Sequence, residues 1–369
     1  MATIQSETRT RGRQLPYEAW VRTLGIPIYG GHSVETPLTL ELGWWESRGC
    51  NAAIISLEGQ KGVSEARITE VPPGMTLPAQ RYAFGEVVYV LNGHGMTTVW
   101  DDHGGQRTFE WQPRSLFCLP RHCHHQIANA RGDRTARLLH YNYLPMAMSA
   151  IPEPEFFFDN PFAPASPLVG LEESFSEAKV LVDPDEEGGR WRGGRAVWTG
   201  NFFPDMQSWD KLIPYRGRGA GGRVVWIQFP RAEMGAHMSV FDSQRYKKGH
   251  KHGPGRVIVI PKGEGYSVLW PEGGEKIVCP WKEATIFVPP ENWYHQHFNV
   301  GNGEARYLAL GPAPQFRGTN YRHQMEYPDE DPWIRAKFSS ELAKHGFKSL
   351  MPDECYEDRN FEWDFGDDD

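Results

Sequence analysis

The segment Gly249-His250-Lys251-His252 decides how this chain is interpreted. Because side chains alternate along a β-strand, both imidazoles are expected on one face and the lysine on the other. A third imidazole, His295, follows a proline-containing turn that begins at Pro290. Three neutral imidazoles on facing strands can hold a divalent first-row ion and leave coordination positions open. The pattern therefore predicts a metal site formed by His250, His252 and His295.

The sequence between the two histidine segments reads as a run of short strands and turns. Residues 257–260 and 266–270 are rich in β-branched and aromatic side chains, and glycine-containing turns follow each of them. Such a meander can curl so that distant strands face each other inside a small barrel. A His-x-His pair alone is also compatible with two hydrogen-bonded surface histidines. The barrel pattern around the pair favours the metal.

These residues resemble the cupin superfamily, whose two motifs read G-x5-H-x-H-x3,4-E-x6-G and G-x5-P-x-G-x2-H-x3-N. The first is matched by His250-x-His252-x3-Arg256-x6-Gly263 and the second by Pro290-x-Asn292-x2-His295-x3-Asn299. The chain departs from the motifs at four positions. Gln244 and Ala284 replace the leading glycines, Asn292 replaces the inner glycine, and Arg256 replaces the glutamate that is a metal ligand in most cupins.

The chain contains an internal repeat with an offset of 170 residues and no gap. Nine of twelve compared pairs are identical, which one fixed offset rarely achieves by chance. The first members of the pairs are Gln80, Tyr82, Glu86, Gly93, Gly95, Trp100, Trp111, Phe117, Pro120, His125, Gln126 and Asn129. The second members are His250, His252, Arg256, Gly263, Gly265, Trp270, Trp281, Phe287, Pro290, His295, Gln296 and Asn299. The repeat predicts a duplicated barrel.

The two copies differ at the ligand positions. The first copy has Gln80 and Tyr82 in place of two histidines, although it keeps Glu86 and His125. Because two scattered ligands rarely hold a transition metal, we expect the first barrel to be free of metal.

The fold predicted from these patterns is all-β, with two cupin barrels of the double-stranded β-helix, or jelly-roll, type. Prolines and an acidic loop mark a long connector between the barrels, and Asp331-Pro332 marks the start of a short helix near the end. The predicted boundaries are 1–63 for an N-terminal arm, 64–145 for the first barrel, 146–219 for the connector, 220–313 for the second barrel, and 314–369 for the C-terminal helix and an acidic tail.

Composition and charge exclude several classes of function. The net charge of −8 and the pI near 6.0 argue against a nucleic-acid partner. Five cysteines, scattered and odd in number, indicate a reducing compartment. The first residues lack an apolar signal region, and no stretch is long and apolar enough for a membrane span. We therefore expect a cytoplasmic protein.

Strand alternation predicts which side chains accompany the ligands into the second barrel. Pro254, Arg256, Ile258 and Ile260 share the parity of His252, and His297 shares that of His295. A buried guanidinium beside a dication is costly unless an anion lies between them, so Arg256 predicts a substrate carboxylate or phenolate. The alternatives are that Arg256 pairs with a protein carboxylate, or that it turns outward.

Further candidates surround the predicted site. The side chains considered for catalytic or supporting roles are His297, Gln244, Tyr246 and Gln296, and those considered for the pocket wall are Trp293 and Trp270. Each of them is equally compatible with ordinary packing or hydrogen bonding.

The whole chain looks like the bicupin dioxygenases that cleave hydroxylated aromatic acids, such as gentisate 1,2-dioxygenase. This resemblance implies Fe(II), O2, a small anionic substrate (a hydroxylated aromatic, an enol or a diketone) and a homodimer or homotetramer. One departure is that those enzymes typically hold their iron in the first barrel. Two alternatives stay open. One is a redox-neutral lyase, isomerase or decarboxylase that uses Mn(II), Ni(II) or Zn(II), and the other is a non-catalytic bicupin that binds a small ligand.

Overall fold

The computed structural model describes residues 14–60, 62–158, 160–162, 164, 167–183, 195–208, 212–312 and 323–365. Four sheets arranged as two barrels dominate these residues, and a short helix follows the second barrel. The predicted all-β fold of two barrels with a C-terminal helix is therefore confirmed. The predicted acidic tail and residues 1–13 of the predicted arm lie outside the described ranges. Within those ranges, no helix is long and apolar enough to cross a bilayer.

Short strands make up most of the chain. Those before the connector are β1 (Ile28–Tyr29), β2 (Ser33–Val34), β3 (Gly43–Trp45), β4 (Cys50–Ile55), β5 (Glu65–Val71), β6 (Gln80–Arg81), β7 (Glu86–Asn92), β8 (Gly95–Trp100), β9 (Gln106–Trp111), β10 (Leu116–Leu119), β11 (His124–Asn129) and β12 (Ala136–Asn142). Those after them are β13 (Lys179–Asp183), β14 (Arg195–Thr199), β15 (Phe202–Phe203), β16 (Ile213–Pro214), β17 (Arg223–Gln228), β18 (Gly235–Phe241), β19 (His250–Lys251), β20 (Val257–Lys262), β21 (Gly265–Trp270), β22 (Ile277–Trp281), β23 (Ile286–Phe287), β24 (Tyr294–Asn299), β25 (Ala305–Gly311) and β26 (His323–Gln324). The α-helices are α1 (Pro16–Thr23), α2 (Leu144–Ala150), α3 (Glu155–Phe158) and α4 (Pro332–Lys344).

Each barrel consists of one large and one small sheet. In the first barrel the large sheet has the order β1-β4-β5-β12-β7-β10-β15, with β3 beside β4, and the small sheet has the order β6-β11-β8-β9. In the second barrel the large sheet has the order β13-β14-β17-β18-β25-β20-β23-β2, with β16 beside β17, and the small sheet has the order β22-β21-β24-β19-β26. The two copies thus place equivalent strands at equivalent positions.

The two large sheets exchange strands. In the arm, β2 pairs with β23 of the second barrel, where Ser33 lies opposite Phe287. In the connector, β15 pairs with β10 of the first barrel, where Leu116 lies opposite Phe203. The arm and the connector therefore tie each barrel to the other half of the chain.

Strand alternation divides the core of the second barrel into two parts. On β20, Val257 and Val259 pack in the large cluster between the barrels, which also holds Val87 of the first barrel. Ile258 and Ile260 point the other way and pack inside the second barrel. The predicted inward orientation of these two isoleucines is confirmed. Strand β20 is apolar on both faces because each face packs in a different core.

The duplication extends to unusual backbone angles. At five pairs of described positions 170 residues apart, both members have a positive φ, a region that favours glycine. Three of these pairs include a residue other than glycine. These three are Gly74 (65°) with Gln244 (56°), Arg114 (72°) with Ala284 (71°), and His122 (61°) with Asn292 (59°). Gln244, Ala284 and Asn292 are the residues that replace the cupin glycines, so the turns keep their shape although the glycines are lost.

The C-terminal segment covers the outer face of the small sheet of the second barrel. Its helix α4 begins as predicted, because Asp331 accepts a hydrogen bond from the Trp333 amide at 2.9 Å and proline occupies the first turn. Buried side chains recur every four residues at Ile334, Phe338 and Leu342, the spacing of one helix face. They pack against aromatic side chains of the sheet.

Glu330 joins this segment to the sheet. Its carboxylate accepts hydrogen bonds from the Tyr246 hydroxyl and from Gln296 Nε2, the latter at 3.1 Å. Burial raises the pKa of Glu330 from 4.5 to about 7, although the hydrogen bonds from Tyr246 and Gln296 act in the opposite direction.

We predict that Glu330→Gln removes a pH dependence of stability. The folded wild-type chain binds more protons than the unfolded chain between pH 4.5 and 7. Its free energy of unfolding therefore falls as pH rises through this window. Glutamine cannot ionise, and at pH 8 the variant should be more stable by on the order of 2 kcal/mol. Urea denaturation at pH 5 and pH 8 measures the difference. The control is Glu357→Gln, an exposed carboxyl in the same segment, and an unchanged pH dependence in Glu330→Gln would contradict the prediction.

Candidate metal centre

The three predicted ligands meet at one point of the second barrel. Strand β19 pairs with β24 so that His250 lies opposite His295, and His252 follows on the same face as His250. One nitrogen of each ring lies within 4.8 Å of the other two. Ring centroids are separated by 4.0 Å for His250 and His295, 4.7 Å for His252 and His295, and 5.3 Å for His250 and His252. The structure therefore brings together the set that the sequence singled out.

This group has the dimensions of a metal site. All three side chains are buried, with His295 only 1% exposed. Imidazole nitrogens bound to one tetrahedral ion at about 2.1 Å are about 3.4 Å apart. The rings thus need to close by up to about 1.4 Å to share an ion. Three neutral nitrogen donors fit a divalent first-row metal such as Fe(II), Ni(II) or Zn(II).

Neighbouring carbonyl groups orient two of the rings. His252 Nδ1 lies 2.7 Å from the Gly253 carbonyl oxygen. Because a carbonyl can only accept, Nδ1 carries the proton and Nε2 keeps its lone pair for a metal. His295 Nδ1 lies 3.3 Å from the Trp293 carbonyl oxygen and is directed in the same way. In addition, the Asn292 amide donates to the His252 carbonyl at 2.9 Å, which joins the two ligand segments.

A polar chain lies below the triad inside the barrel. Trp281 Nε1 donates to Ser267 Oγ at 3.1 Å, and the same hydroxyl lies 2.8 Å from His297 Nδ1. Burial first, and then the neighbouring His295, lowers the pKa of His297 well below its usual value, so this imidazole is neutral. In the first barrel Trp111 Nε1 donates to Thr97 Oγ1 in the same way at 3.0 Å. There, however, Ile127 replaces the histidine.

Arg256 lines a cavity of about 400 Å³ at the end of the large sheet, together with His237 and Ala309. The three ligands do not line this cavity directly. A row of rings connects it to them: centroids are 6.0 Å apart for His237 and Tyr307, 4.7 Å for Tyr307 and His297, and 5.6 Å for His297 and His295. Packed rings thus lie between the cavity beside Arg256 and the predicted ligands.

The other predicted site residues lie away from the interior. Tyr246 stacks on Phe298 under the C-terminal segment, with centroids 4.8 Å apart. Trp270 stacks on Tyr294 on the same outer face at 5.6 Å. Gln296 points outward to Glu330, because a strand that turns His295 and His297 inward turns the residue between them outward.

The two remaining candidates belong to turns. The carbonyl of Gln244 accepts a hydrogen bond from the Leu350 amide in the C-terminal segment at 3.0 Å. Trp293 is half-buried, and its ring lies 5.6 Å from that of His32 in the arm. Gln244 thus has a structural contact with the C-terminal cover, and Trp293 contacts the arm from the turn just before His295.

Residues of β18 that the sequence analysis did not single out also face the interior. His237 lines the cavity, and Ser239 accepts a hydrogen bond at 2.6 Å from Nζ of Lys247, which is fully buried. Lys247 Nζ also lies 5.6 Å from the Tyr307 ring. The alternation His237-x-Ser239-x-Phe241 is the signal that would have identified this face.

In the first barrel, Glu86 occupies the position equivalent to Arg256, and its carboxylate is fully paired. Glu86 accepts from Arg67 Nη2, from Asn142 Nδ2 at 3.1 Å and from His140 Nδ1 at 2.7 Å. Burial alone would raise its pKa, but the charges of Arg67 and His140 lower it below the usual range. Glu86 is thus an ion-pair partner in this structure, with its lone pairs directed at protein donors.

No protein-family model matches this chain, and no curated protein matches it. Similar solved structures include a deletion mutant of the oxalate decarboxylase of Bacillus subtilis, with 11% identity, a TM-score of 0.48 and 84% of each chain covered. Another is the oxalate decarboxylase of Lactobacillus farciminis in its formate complex, with 11% identity, a TM-score of 0.49, and 83% of this chain and 92% of that chain covered.

We predict that the full-length protein binds one divalent ion and that His295→Ala abolishes the binding. Loss of an outer partner already lowers metal affinity by roughly 10–100-fold, and loss of one of three ligands should lower it further. Titration calorimetry of chelator-treated protein with Zn(II) measures affinity and stoichiometry.

The matched control for this titration is His323→Ala. His323 lies opposite Lys251 on the neighbouring strand β26, where it is exposed and its Nδ1 lies 2.7 Å from the Tyr294 hydroxyl. Its loss should leave the affinity unchanged. Equal affinities for the wild type and His295→Ala would disprove the site.

Proposed function

We propose that the second barrel is the catalytic centre of a metal-dependent enzyme that acts on a small anionic substrate. The observation that carries this proposal is the buried group of three imidazoles, which includes no carboxylate from the described residues. Neutral ligands leave the charge of a divalent ion uncompensated, and such an ion attracts an anion. When bound, the ion would supply a Lewis acid that polarises an oxygen of the substrate.

The cavity beside Arg256 is the proposed substrate site. Its volume of about 400 Å³ falls within the range of small-molecule pockets. Arg256 follows His252 by four residues, and its planar guanidinium can bind a carboxylate or phenolate with two hydrogen bonds. Arg256 would thus orient the anionic end of the substrate.

Two further features of the interior support a reaction there. If Ser267 donates to Nδ1 of His297, the Nε2–H of that neutral imidazole is free to donate to a substrate oxygen. The floor below consists of apolar side chains such as Phe241, Ile260 and Phe287, which exclude water and strengthen charge interactions at the site. We propose His297 as a substrate-positioning residue.

Redox-neutral chemistry, such as that of a lyase, isomerase or decarboxylase, is the reaction class we propose first. Polarising an anionic substrate requires only a dication, a guanidinium group and an apolar environment. A bound Ni(II), Zn(II) or Mn(II) would provide the dication, and Arg256 and the apolar floor would provide the other two. Oxygen-dependent cleavage by Fe(II) is the second candidate. The all-imidazole ligand set is compatible with it, because His250, His252 and His295 would hold Fe(II), which would supply the redox chemistry for O2.

One experiment separates these reaction classes. Full-length protein loaded in turn with Fe(II), Mn(II), Ni(II) or Zn(II) is incubated with hydroxylated aromatic acids, oxo acids, dicarboxylates and diketones, in air and under nitrogen. We expect turnover that persists without O2 and is supported by a redox-inert metal. Turnover that requires both Fe(II) and O2 would establish the dioxygenase instead. Ligand binding without turnover under any condition would refute the enzyme and leave a binding protein.

We predict that Arg256→Gln raises KM for the anionic substrate by roughly 10–100-fold and changes kcat less. The reason is that the lost contact would bind the substrate and the transition state equally well. Arg256→Lys should recover part of the affinity, since it keeps the charge without the planar fork. The control is Lys251→Gln, which removes a cation that pairs with Glu272 on the opposite face. A loss of kcat with unchanged KM would contradict the proposed role.

A further inference from the structure

A small cavity lies inside the first barrel, at the place where the second barrel holds its histidines. Its volume is about 30 Å³, and Gln80, Tyr82 and His125 line it at the positions equivalent to His250, His252 and His295. Trp45 and Arg48 from the N-terminal arm complete its polar wall. The duplication has therefore kept an internal space here while the ligand set changed.

Two hydrogen-bond donors in the wall of this cavity lack an acceptor among the described residues. Trp45 Nε1 and Arg48 Nε are both buried, and neither has a hydrogen-bond partner in the part of the chain that the structure describes. A buried donor without a partner is costly, and such groups are rare in native proteins. Two of them beside one cavity indicate that an acceptor from outside the chain completes the site.

The charge of Arg48 indicates that this acceptor is an anion. Among the described residues no carboxylate pairs with Arg48, and its Nη1 donates to the neutral side chain of Gln80. Aromatic rings surround the guanidinium, with centroids 4.3 Å away for Phe158, 4.9 Å for Tyr82 and 5.2 Å for Trp45. These rings stabilise the cation, but they offer no hydrogen-bond acceptor to the N–H groups in the plane of the guanidinium.

The other ionisable groups of the cavity do not compete for this role. Arg67 is already paired with Glu65 and Glu86. Burial raises the pKa of the Cys50 thiol to about 11, so it stays neutral. Burial also lowers the pKa of His125 to about 3, although Glu86 acts in the opposite direction, so this imidazole is neutral too. Among the residues that the structure describes, Arg48 is thus the cation that faces the cavity without a counter-charge.

The size of the cavity limits its occupant. One water occupies roughly 10–15 Å³ of a cavity, so a volume of about 30 Å³ admits a group of two or three heavy atoms. A carboxylate group has this size and presents two acceptor oxygens, one for the Nε–H group of Arg48 and one for the Nε1–H group of Trp45.

An outer groove leads to the cavity. It has a volume of about 500 Å³, and Arg48 and Gln80 line both the groove and the cavity. These two side chains are hydrogen-bonded to each other, so they lie between the groove and the cavity.

We propose that the first barrel is a small-carboxylate binding site in which Arg48 and Trp45 bind the anion. The site is separate from the proposed metal centre and does not depend on it. It gives the first barrel a ligand of its own, such as formate, without a metal.

The test uses full-length protein carrying His295→Ala, so that binding to a metal in the second barrel does not contribute. Sodium formate and sodium chloride are titrated at constant ionic strength, and binding is followed by calorimetry. We expect saturable one-to-one binding of formate, with chloride at least about 10-fold weaker, because chloride offers one acceptor atom instead of two.

Variants in this background locate the site. Trp45→Phe keeps the ring but removes the N–H group, and should weaken binding roughly 5–10-fold. Arg48→Gln should abolish it, and Arg48→Lys, which keeps the charge, should retain a weakened affinity. The matched control is Trp44→Phe, since the exposed Trp44 already donates to Glu46 at 2.6 Å.

Three outcomes would overturn the proposal. The first is the absence of saturable carboxylate binding, which would mean that the cavity holds water only. The second is binding that Arg48→Gln and Arg48→Lys leave unchanged, provided that thermal melting shows both variants to be folded. The third is chloride binding as tight as that of formate, which would make this a general anion site instead of a carboxylate site.

Discussion

The short antiparallel pairing of β19 with β24 is the contact on which the proposed chemistry depends. It places His250 opposite His295, and the alternation of β19 adds His252 to the same face. A shift of one residue in this pairing would turn Lys251 inward and would disperse the ligand set. The structure stabilises the register from both sides, through the bond between Asn292 and His252 and through β26 on the outer edge.

The two barrels show how one backbone can carry two kinds of polar interior. The same left-handed turns occur 170 residues apart in both copies, and the Trp–hydroxyl hydrogen bond is repeated. At the ligand positions, however, one interior has three histidines and the other has a paired Glu86 with a small cavity. The interior chemistry has therefore diverged while the backbone geometry was kept, which is why a fold alone does not define a reaction.

Much of this arrangement could be predicted from the sequence, because its signals are local. The fixed offset revealed the duplicated barrel, and the period of two correctly sent Ile258 and Ile260 inward. The same rule sends Gln296 outward, where it contacts Glu330. What the sequence did not reveal depends on contacts between distant segments, such as the C-terminal cover over Tyr246 and the exchange of β2 and β15. No local pattern encodes which face a distant segment will cover.

The central claim is that one divalent ion is held by three imidazoles of the second barrel. Anomalous diffraction at the absorption edge of the bound metal, from crystals of the full-length protein, tests it most directly. We expect a single peak at about 2.0–2.2 Å from one nitrogen each of His250, His252 and His295. A peak elsewhere in the chain, or three rings without a shared peak in metal-loaded crystals, would contradict the account.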